Sequence, residues 1–460
     1  MNLNKLKDSS TPKSASSRIK KTCRSRSGKT AFIAYLRILR SSASVARTKE
    51  PKLPMSPSSS SKSLIKSIVS PPRKRKPTIK LSKVFYHISA RMLSFFMNDE
   101  IYMNEALKIA ANARGRTSPN PLVGAVIVKN NRIIAEGWHR QAGTPHAEIN
   151  ALNMAGDLAK DSTLYVTLEP CSHFGRTPPC ANAIVNAGIK KVVIAMTDPN
   201  PKVAGRGIEI LKNAGIEVEV GILEDQARRL NEVFIKWITT QKPFVTLKTA
   251  MSLDGKIATA TGQSQWITSE ESRRKVHELR DINDAIMIGI GTVLADNPSL
   301  TTRIDGGKNP IRIIVDSQLR TPINANVIVD GQAKTIIATT KNAPINKVDA
   351  LKKSGVEIIF CGDDRKVDMN ILMNELASRE ITSIFVEGGG TLNFSLLENH
   401  LVDKVFAFIA PKIIGGREAL TSVEGDGFSD LNKAINLKNI TTEMIGEDIL
   451  ISGIVCNDNF

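Results

Sequence analysis

The chain has 460 residues, of which 41% are hydrophobic, 5% aromatic and 23% charged, a length that points to two or three domains with separate cores. Twenty-one prolines and 30 glycines are too few for a collagen-like or wholly disordered protein, and no apolar run approaches the roughly 20 residues of a membrane span. The formal net charge of +18 is uneven: residues 1–97 carry 23 Lys and Arg against Asp8 and Glu50, while residues 98–460 carry 40 basic and 43 acidic side chains. The basic character belongs to the leader and gives no argument for a nucleic-acid partner of the globular part.

Residues 1–97 are rich in Ser, Lys and Arg, with SPSSSSKS near the middle and PPRKRKP at 71–77. Such low complexity cannot offset the entropy of ordering, so this segment reads as a disordered leader. Three accounts of it stand side by side: an organelle transit peptide, a localisation or polyanion-binding patch, or an over-long reading frame with Met97 or Met103 as the true start. The five cysteines, Cys23, Cys171, Cys180, Cys361 and Cys456, are too few and scattered for a disulfide framework. They suit a reducing compartment, and the expected location is the cytoplasm, or an organelle if the leader is a transit peptide.

From about 98 the texture changes. Apolar spacing predicts a helix over Asn104–Ala113, a strand over Leu122–Val128, a helix over Ala147–Met154 and a strand over Thr163–Thr167. A helix over Cys180–Ala187, a strand over Lys191–Ala195 and one long helix over Glu224–Thr240 follow. Lys242-Pro243 then marks a boundary, because the residue before proline is driven out of helix. A second series of strands comes next: Phe244–Ala250, Ala285–Ile290, Ile311–Val315, Thr335–Ala338, Glu357–Phe360, Ser383–Val386 and Lys404–Ile409. Helical stretches such as Ser269–Arg280 and Met369–Arg379 lie between them. Strands alternating with helices predict two α/β domains, 98–241 and 242–460, behind the leader.

His146-Ala147-Glu148 opens a predicted helix, Pro170-Cys171 follows a strand, and Cys180 heads the next helix. One imidazole and two thiolates make a three-ligand zinc set with a fourth position left for water. Zinc lowers the pKa of such a water to about 7. Glu148, two residues beyond the histidine, is placed to carry protons from attacking water to departing ammonia, as in the H-x-E…P-C-x-x-C zinc deaminases. Here eight residues, Ser172 to Pro179, separate the cysteines instead of two. The run PCSHFGRTPPC, with TSPNPLVGAVIV and GWHRQAGTPHAE before it and AMTDPNPKVAGRGIEILKNAGIEV after it, resembles the deaminase half of bacterial bifunctional riboflavin-biosynthesis proteins. That resemblance implies a cytidine-deaminase-like fold and a long inter-cysteine insertion. Asn120, His139, Arg176 and Asn200 are candidates to contact the pyrimidine or its ribose phosphate, and Arg176 suits a phosphate by its fork of donors. Asn120 and Asn200 stand beside prolines, so turn formation is the competing role.

Phe385 to Leu392 reads as a strand, a glycine-rich turn and a helix start, an arrangement that can cradle a phosphate or merely connect two elements. KTAMSLDGKIATATGQSQWITS at 248–269, GTVLADNPSLTTR at 291–303 and IVDSQLRTP at 314–322 resemble the reductase half of the same proteins, which is similar in fold to dihydrofolate reductase. The resemblance implies that NADPH is lined by Ala250, Trp266, Thr292, Asp296, Ser317 and the run Gly389, Gly390, Thr391, Leu392, Asn393, Phe394 and Ser395. It implies that Ser264, Arg280, Leu300, Arg303 and Glu387 face the substrate, with Lys248 a further candidate to polarise or position the ribose.

The activities so implied are zinc-dependent deamination of 2,5-diamino-6-ribosylamino-4(3H)-pyrimidinone 5′-phosphate, then reduction of 5-amino-6-(5-phosphoribosylamino)uracil to the ribityl compound. The expected partners are these small phosphates and further copies of the chain, with neither nucleic acid nor membrane. A nucleic-acid-editing deaminase tethered by its basic leader is the alternative; such a tether would bind in a strongly salt-dependent way.

Overall fold

The computed structural model describes residues 99–172, 179–201 and 203–456. The first lobe opens with helix α1 over 99–110, which crosses strand β1 (Gly124–Lys129) so closely that a Cβ on Gly124 would strike the Ala106 carbonyl. Asn130 and Asn131, both at positive φ, turn the chain back into β2 (Arg132–Trp138). Two consecutive left-handed residues of this type make the two-residue turn whose twist suits a hairpin. Helix α2 (Ala147–Ala155) lies against β2 at Gly137, where a Cβ would meet the backbone of Ala147 and Ala151. Then come β3 (Thr163–Val166), α3 (Cys180–Asn186), β4 (Lys191–Ile194), α4 (Arg206–Asn213) and β5 (Glu217–Val220). The sheet order is β2-β1-β3-β4-β5, with β1 antiparallel to both neighbours and the remainder parallel.

The long helix expected over Glu224–Thr240 is two helices, α5 (Glu224–Leu230) and α6 (Glu232–Thr240), broken at Asn231. Asn231 is buried and its side-chain amide spans the backbone of Leu122, accepting from its N–H at 2.8 Å and donating to its carbonyl at 2.9 Å. That tertiary bond outweighs local helix propensity.

The second lobe runs β6 (Phe244–Ser252), α7 (Glu270–Ile282), β7 (Ala285–Gly289), α8 (Ile290–Asp296), β8 (Ile311–Val315), β9 (Thr335–Thr339), α9 (Ile345–Lys353) and β10 (Glu357–Phe360). It continues through α10 (Met369–Ala377), β11 (Ser383–Val386), α11 (Gly390–Glu398), β12 (Lys404–Ala410), β13 (Leu437–Ile445) and β14 (Asp448–Val455). Its sheet order is β10-β9-β8-β7-β11-β6-β12-β14-β13, parallel from β10 to β12 and antiparallel beyond. Strand β11 is inserted between β6 and β7, which are consecutive in the chain, so the connections diverge there. In open parallel sheets the crevice outside the carboxyl ends at such a point is where ligands bind. Both lobes are α/β, as the alternating pattern predicts.

Candidate active sites

In the first lobe, the end of the β2 hairpin and the starts of two helices converge. His146 is the extended residue capping α2, Cys180 is the first residue of α3, and Cys171 lies in the segment leaving β3. His146 Nδ1 stands 3.3 Å from Cys180 Sγ and 3.6 Å from Cys171 Sγ, and the three donor atoms all lie within 4.8 Å of one another. Donors held about 2.0–2.3 Å from one tetrahedral zinc stand roughly 3.5 Å apart. The set therefore fits zinc. Glu148, in the first turn of α2, is 3% exposed, and burial, with the Cys171 charge adding to it, pushes its carboxyl up to about 7.

His139 links this cluster to Asn120. Its ring lies edge-on to His146 with centroids 5.5 Å apart, Nδ1 is 3.3 Å from the Pro145 carbonyl, and Nε2 is 3.1 Å from Asn120 Nδ2. Burial lowers its pKa. A neutral ring that donates from Nδ1 then accepts from Asn120 at Nε2. Glu169, which sequence reasoning did not single out, holds the other wall. Its buried carboxylate accepts from the backbone N–H groups of Asp198, Gly205, Gly207 and Ile208 at 3.0–3.3 Å, tying the loop after β4 to the strand end that carries Cys171. Asn200 lies in that loop, where its N–H donates to Asp198 Oδ1 and its carbonyl accepts from Val203 and Ala204. Its backbone thus forms the turn anticipated as the competing role. Arg176 lies outside the described residues.

In the second lobe, register brings a charged trio together. Val386 pairs with Leu247 across β11 and β6, so Glu387 and Lys248 follow side by side at the carboxyl ends. Arg280, from the last turn of α7, grips Glu387 with both arms, Nε to Oε1 at 2.6 Å and Nη2 to Oε2 at 3.0 Å, and its Nη1 donates to the Thr301 carbonyl at 2.9 Å. Lys248 Nζ is 3.8 Å from Glu387 Oε2. Burial alone would raise Glu387, but Arg280 and Lys248 outweigh it and hold the carboxyl below its ordinary value. Burial lowers Lys248, and Arg280 adds to that against the opposing pull of Glu387.

Beside the trio, α11 begins in the glycine turn. Gly389 caps the helix in extended conformation and has nothing within 4 Å of where a Cβ would stand. Gly390 differs: a Cβ there would meet the Glu424 side chain and the Thr421 carbonyl. A strap over 421–428 crosses this turn, with Ser422 accepting from Asn393 Nδ2 at 2.8 Å and Phe428 packed 5.5 Å from Phe394.

Residues 97–196 match the family described as the cytidine and deoxycytidylate deaminase zinc-binding region, and residues 243–451 match the RibD C-terminal domain. Over 361 residues the chain is 45% identical to riboflavin biosynthesis protein RibD of Actinobacillus pleuropneumoniae, an alignment spanning 78% of this chain and 96% of that protein. This chain belongs to the RibD family. RibD of Bacillus amyloliquefaciens is 46% identical over 357 residues, 77% of this chain and 96% of that one. Among solved structures, Acinetobacter baumannii RibD is 38% identical with a TM-score of 0.71, covering 79% of this chain and all of that one. A Thermotoga maritima structure described as a diaminohydroxyphosphoribosylaminopyrimidine deaminase/5-amino-6-(5-phosphoribosylamino)uracil reductase is 40% identical, with a TM-score of 0.70 and coverage of 79% and 100%. The protein is a bifunctional enzyme of riboflavin synthesis, a zinc-dependent hydrolytic deaminase joined to an NADPH-dependent reductase. Relatives that span both lobes disfavour the nucleic-acid-editing alternative.

Within this RibD frame the remaining anticipated residues lie on β6 or in the segments that follow β6, β7, β8 and β11. Ala250 is on β6, Thr292 and Asp296 are on α8 after β7, and Ser317 follows β8, its hydroxyl accepting from the Val367 N–H. Trp266 is 63% exposed, with the Arg273 guanidinium 4.5 Å above its ring. Leu300 is buried, while Arg303 is exposed and Ser264 half-buried. Along the glycine-rich run, Thr391 is exposed and Gly389 and Ser395 half-buried, whereas Leu392, Asn393 and Phe394 are buried. Among the described residues no helix is long and apolar enough to cross a membrane.

Proposed function

We propose that the first lobe deaminates 2,5-diamino-6-ribosylamino-4(3H)-pyrimidinone 5′-phosphate, with His146, Cys171 and Cys180 as the zinc ligands. The convergence of these three donors beside a buried glutamate carries the reading. Held by these three residues, zinc would supply an activated water as the nucleophile. Glu148 takes the proton from that water and delivers it to the departing amino group as ammonia forms. Asn120, steadied by His139, contacts the ribosylated pyrimidine, and Arg176 and Asn200 complete that pocket.

In the second lobe Ala250, Trp266, Thr292, Asp296, Ser317 and the turn from Gly389 to Ser395 would hold NADPH, which would supply the hydride for reduction of 5-amino-6-(5-phosphoribosylamino)uracil at C1′. Lys248 gives the proton that the ring oxygen needs as the ribose opens, and Glu387, fixed by Arg280, orients the sugar. Ser264, Leu300 and Arg303 complete the substrate site, the arginines beside the phosphate. The functional division is 98–241 for deamination and 242–460 for reduction, behind the leader 1–97. The enzyme works in the cytoplasm as a homo-oligomer on small pyrimidine phosphates. Purified full-length protein given zinc, NADPH and the diaminopyrimidine should release one ammonia and oxidise one NADPH per substrate. Ammonia without NADPH oxidation, with the uracil intermediate accumulating, would overturn the reductase assignment.

A further inference from the structure

The segment that carries Asn120 is held by the reductase lobe as well as its own. Ser118, two residues before Asn120, donates to Asp284 Oδ2 at 2.8 Å and lies 3.0 Å from Thr382 Oγ1. Asp284 precedes β7 and Thr382 precedes β11. The same Asp284 oxygen accepts the Thr382 N–H at 3.0 Å and its hydroxyl at 2.8 Å, so one carboxylate gathers both reductase strands and the deaminase segment. Just upstream, Arg116 Nη2 meets Asp281 Oδ1 at 2.9 Å, and Lys308 Nζ donates to the Gly115 carbonyl at 3.0 Å. Gly115 has φ +72°, and a Cβ there would come within 2.5 Å of the Asp281 carbonyl oxygen. The lobes meet here backbone to backbone.

Within its own lobe Asn120 is pinned differently, on both sides. The Asn120 N–H closes a turn onto the Thr117 carbonyl at 2.7 Å, and Leu122 is held by Asn231. Between the pins lies a cavity of about 490 Å³, lined by Ser118, Asn120 and Asn231 from one lobe and Asp284 and Thr382 from the other. A segment released from Asp284 has that open volume to move into. The hold on Ser118 lies two residues from the Asn120 amide, whose Nδ2 stands 3.1 Å from His139 Nε2.

We propose that Ser118 is a positioning residue for deamination, and that Asp284 and Thr382 of the reductase lobe complete the deaminase substrate site by holding Asn120 in place through it. This rests on Asn120 being a substrate contact, as proposed above. A displaced substrate contact weakens binding and leaves the buried proton carrier and the metal ligands where they are.

The test uses full-length zinc-loaded protein and three variants. Ser118→Ala should raise the deaminase KM for the diaminopyrimidine five- to tenfold with kcat within twofold. Zinc content and reductase kinetics should stay at wild-type values, and the melting temperature should fall by only a few degrees, as for one lost bond to a carboxylate. Ser118→Thr keeps a hydroxyl and should restore KM to within twofold. Asn120→Ala separates the two layers of the argument. A large rise in KM for Asn120→Ala with no change for Ser118→Ala overturns the positioning role and leaves Asn120 as a contact. Silence of Asn120→Ala overturns both. A Ser118→Ala protein that loses kcat and zinc along with thermal stability would overturn the proposal in favour of a purely structural bond.

Discussion

Lys236 on α6 and Asp403 just before β12 form a buried ion pair across the junction of the lobes, Nζ to Oδ2 at 2.5 Å with side chains 10% and 4% exposed. The same Asp403 oxygen accepts the Val245 N–H at 2.7 Å, and the neighbouring Lys404 reaches back to Glu232 at 2.6 Å. Breaking a buried pair strands the surviving charge at a cost of about 3–5 kcal/mol. Lys236→Met should therefore lower stability by about that amount in denaturant unfolding of the full chain. Lys236→Met with Asp403→Asn should recover much of the loss, because asparagine keeps the acceptor for Val245 and removes the charge. A double variant no more stable than Lys236→Met would show that the pair is not the source.

The same pair predicts where the reductase can be cut. A fragment over 242–460 leaves Asp403 buried without Lys236, whereas one over 231–460 keeps α6 and both ion pairs. The longer fragment should melt at the higher temperature while both retain NADPH oxidation. Equal melting temperatures would mean that α6 contributes nothing to the reductase core.

The deaminase assignment separates metal binding from proton transfer. Glu148→Gln should retain zinc, since the three donors at His146, Cys171 and Cys180 are untouched, yet release no ammonia. Cys171→Ser and Cys180→Ser should lose zinc and activity together. Metal content and ammonia would be measured on the same preparation. Near-normal turnover in Glu148→Gln would remove it from the proton path.

How much of this was legible in the sequence follows from the range of the forces involved. The buried strands and the three zinc donors announce themselves through local apolar runs and through residue types with few other uses. Strands β2, RIIAEGW, and β5, EVEV, are partly exposed and carry no continuous apolar run, so the pattern missed them. The break at Asn231 was hidden because its cause lies 109 residues away at Leu122. Glu169 and Ser118 were missed for the same reason. One gathers backbone amides from a later loop, and the other meets an aspartate 166 residues on.

Reduction should show a basic limb set by Lys248. If Lys248 must be protonated to deliver its proton, the rate falls as pH rises through its pKa, which burial holds below the ordinary lysine value. Glu387 is the group that opposes this lowering. Glu387→Gln should therefore move the limb to still lower pH, in addition to raising KM by freeing Arg280. The pH profile of kcat at saturating NADPH and substrate reads the limb, and the substrate KM reads the freed Arg280. A limb that stays put or moves upward would sink the role of Lys248 as proton donor.

The two glycines of the cofactor turn should fail in different ways. Gly389 is extended and has open space where a side chain would project, so Gly389→Val should fold with an unchanged melting temperature. If that space takes NADPH phosphate against the first amides of α11, the valine should raise the NADPH dissociation constant at least tenfold, by about 1.4 kcal/mol or more. Deamination in the other lobe should continue at its usual rate. At Gly390 a methyl group would run into the Glu424 side chain and the Thr421 carbonyl oxygen at 2.8 Å. Backbone cannot give way as a flexible side chain can, so Gly390→Ala should displace the strap and lower the melting temperature even without cofactor. Fluorescence titration with NADPH beside thermal unfolding tells the two apart. A folded Gly389→Val protein with wild-type affinity would take this turn out of the cofactor site and leave it a connector between β11 and α11.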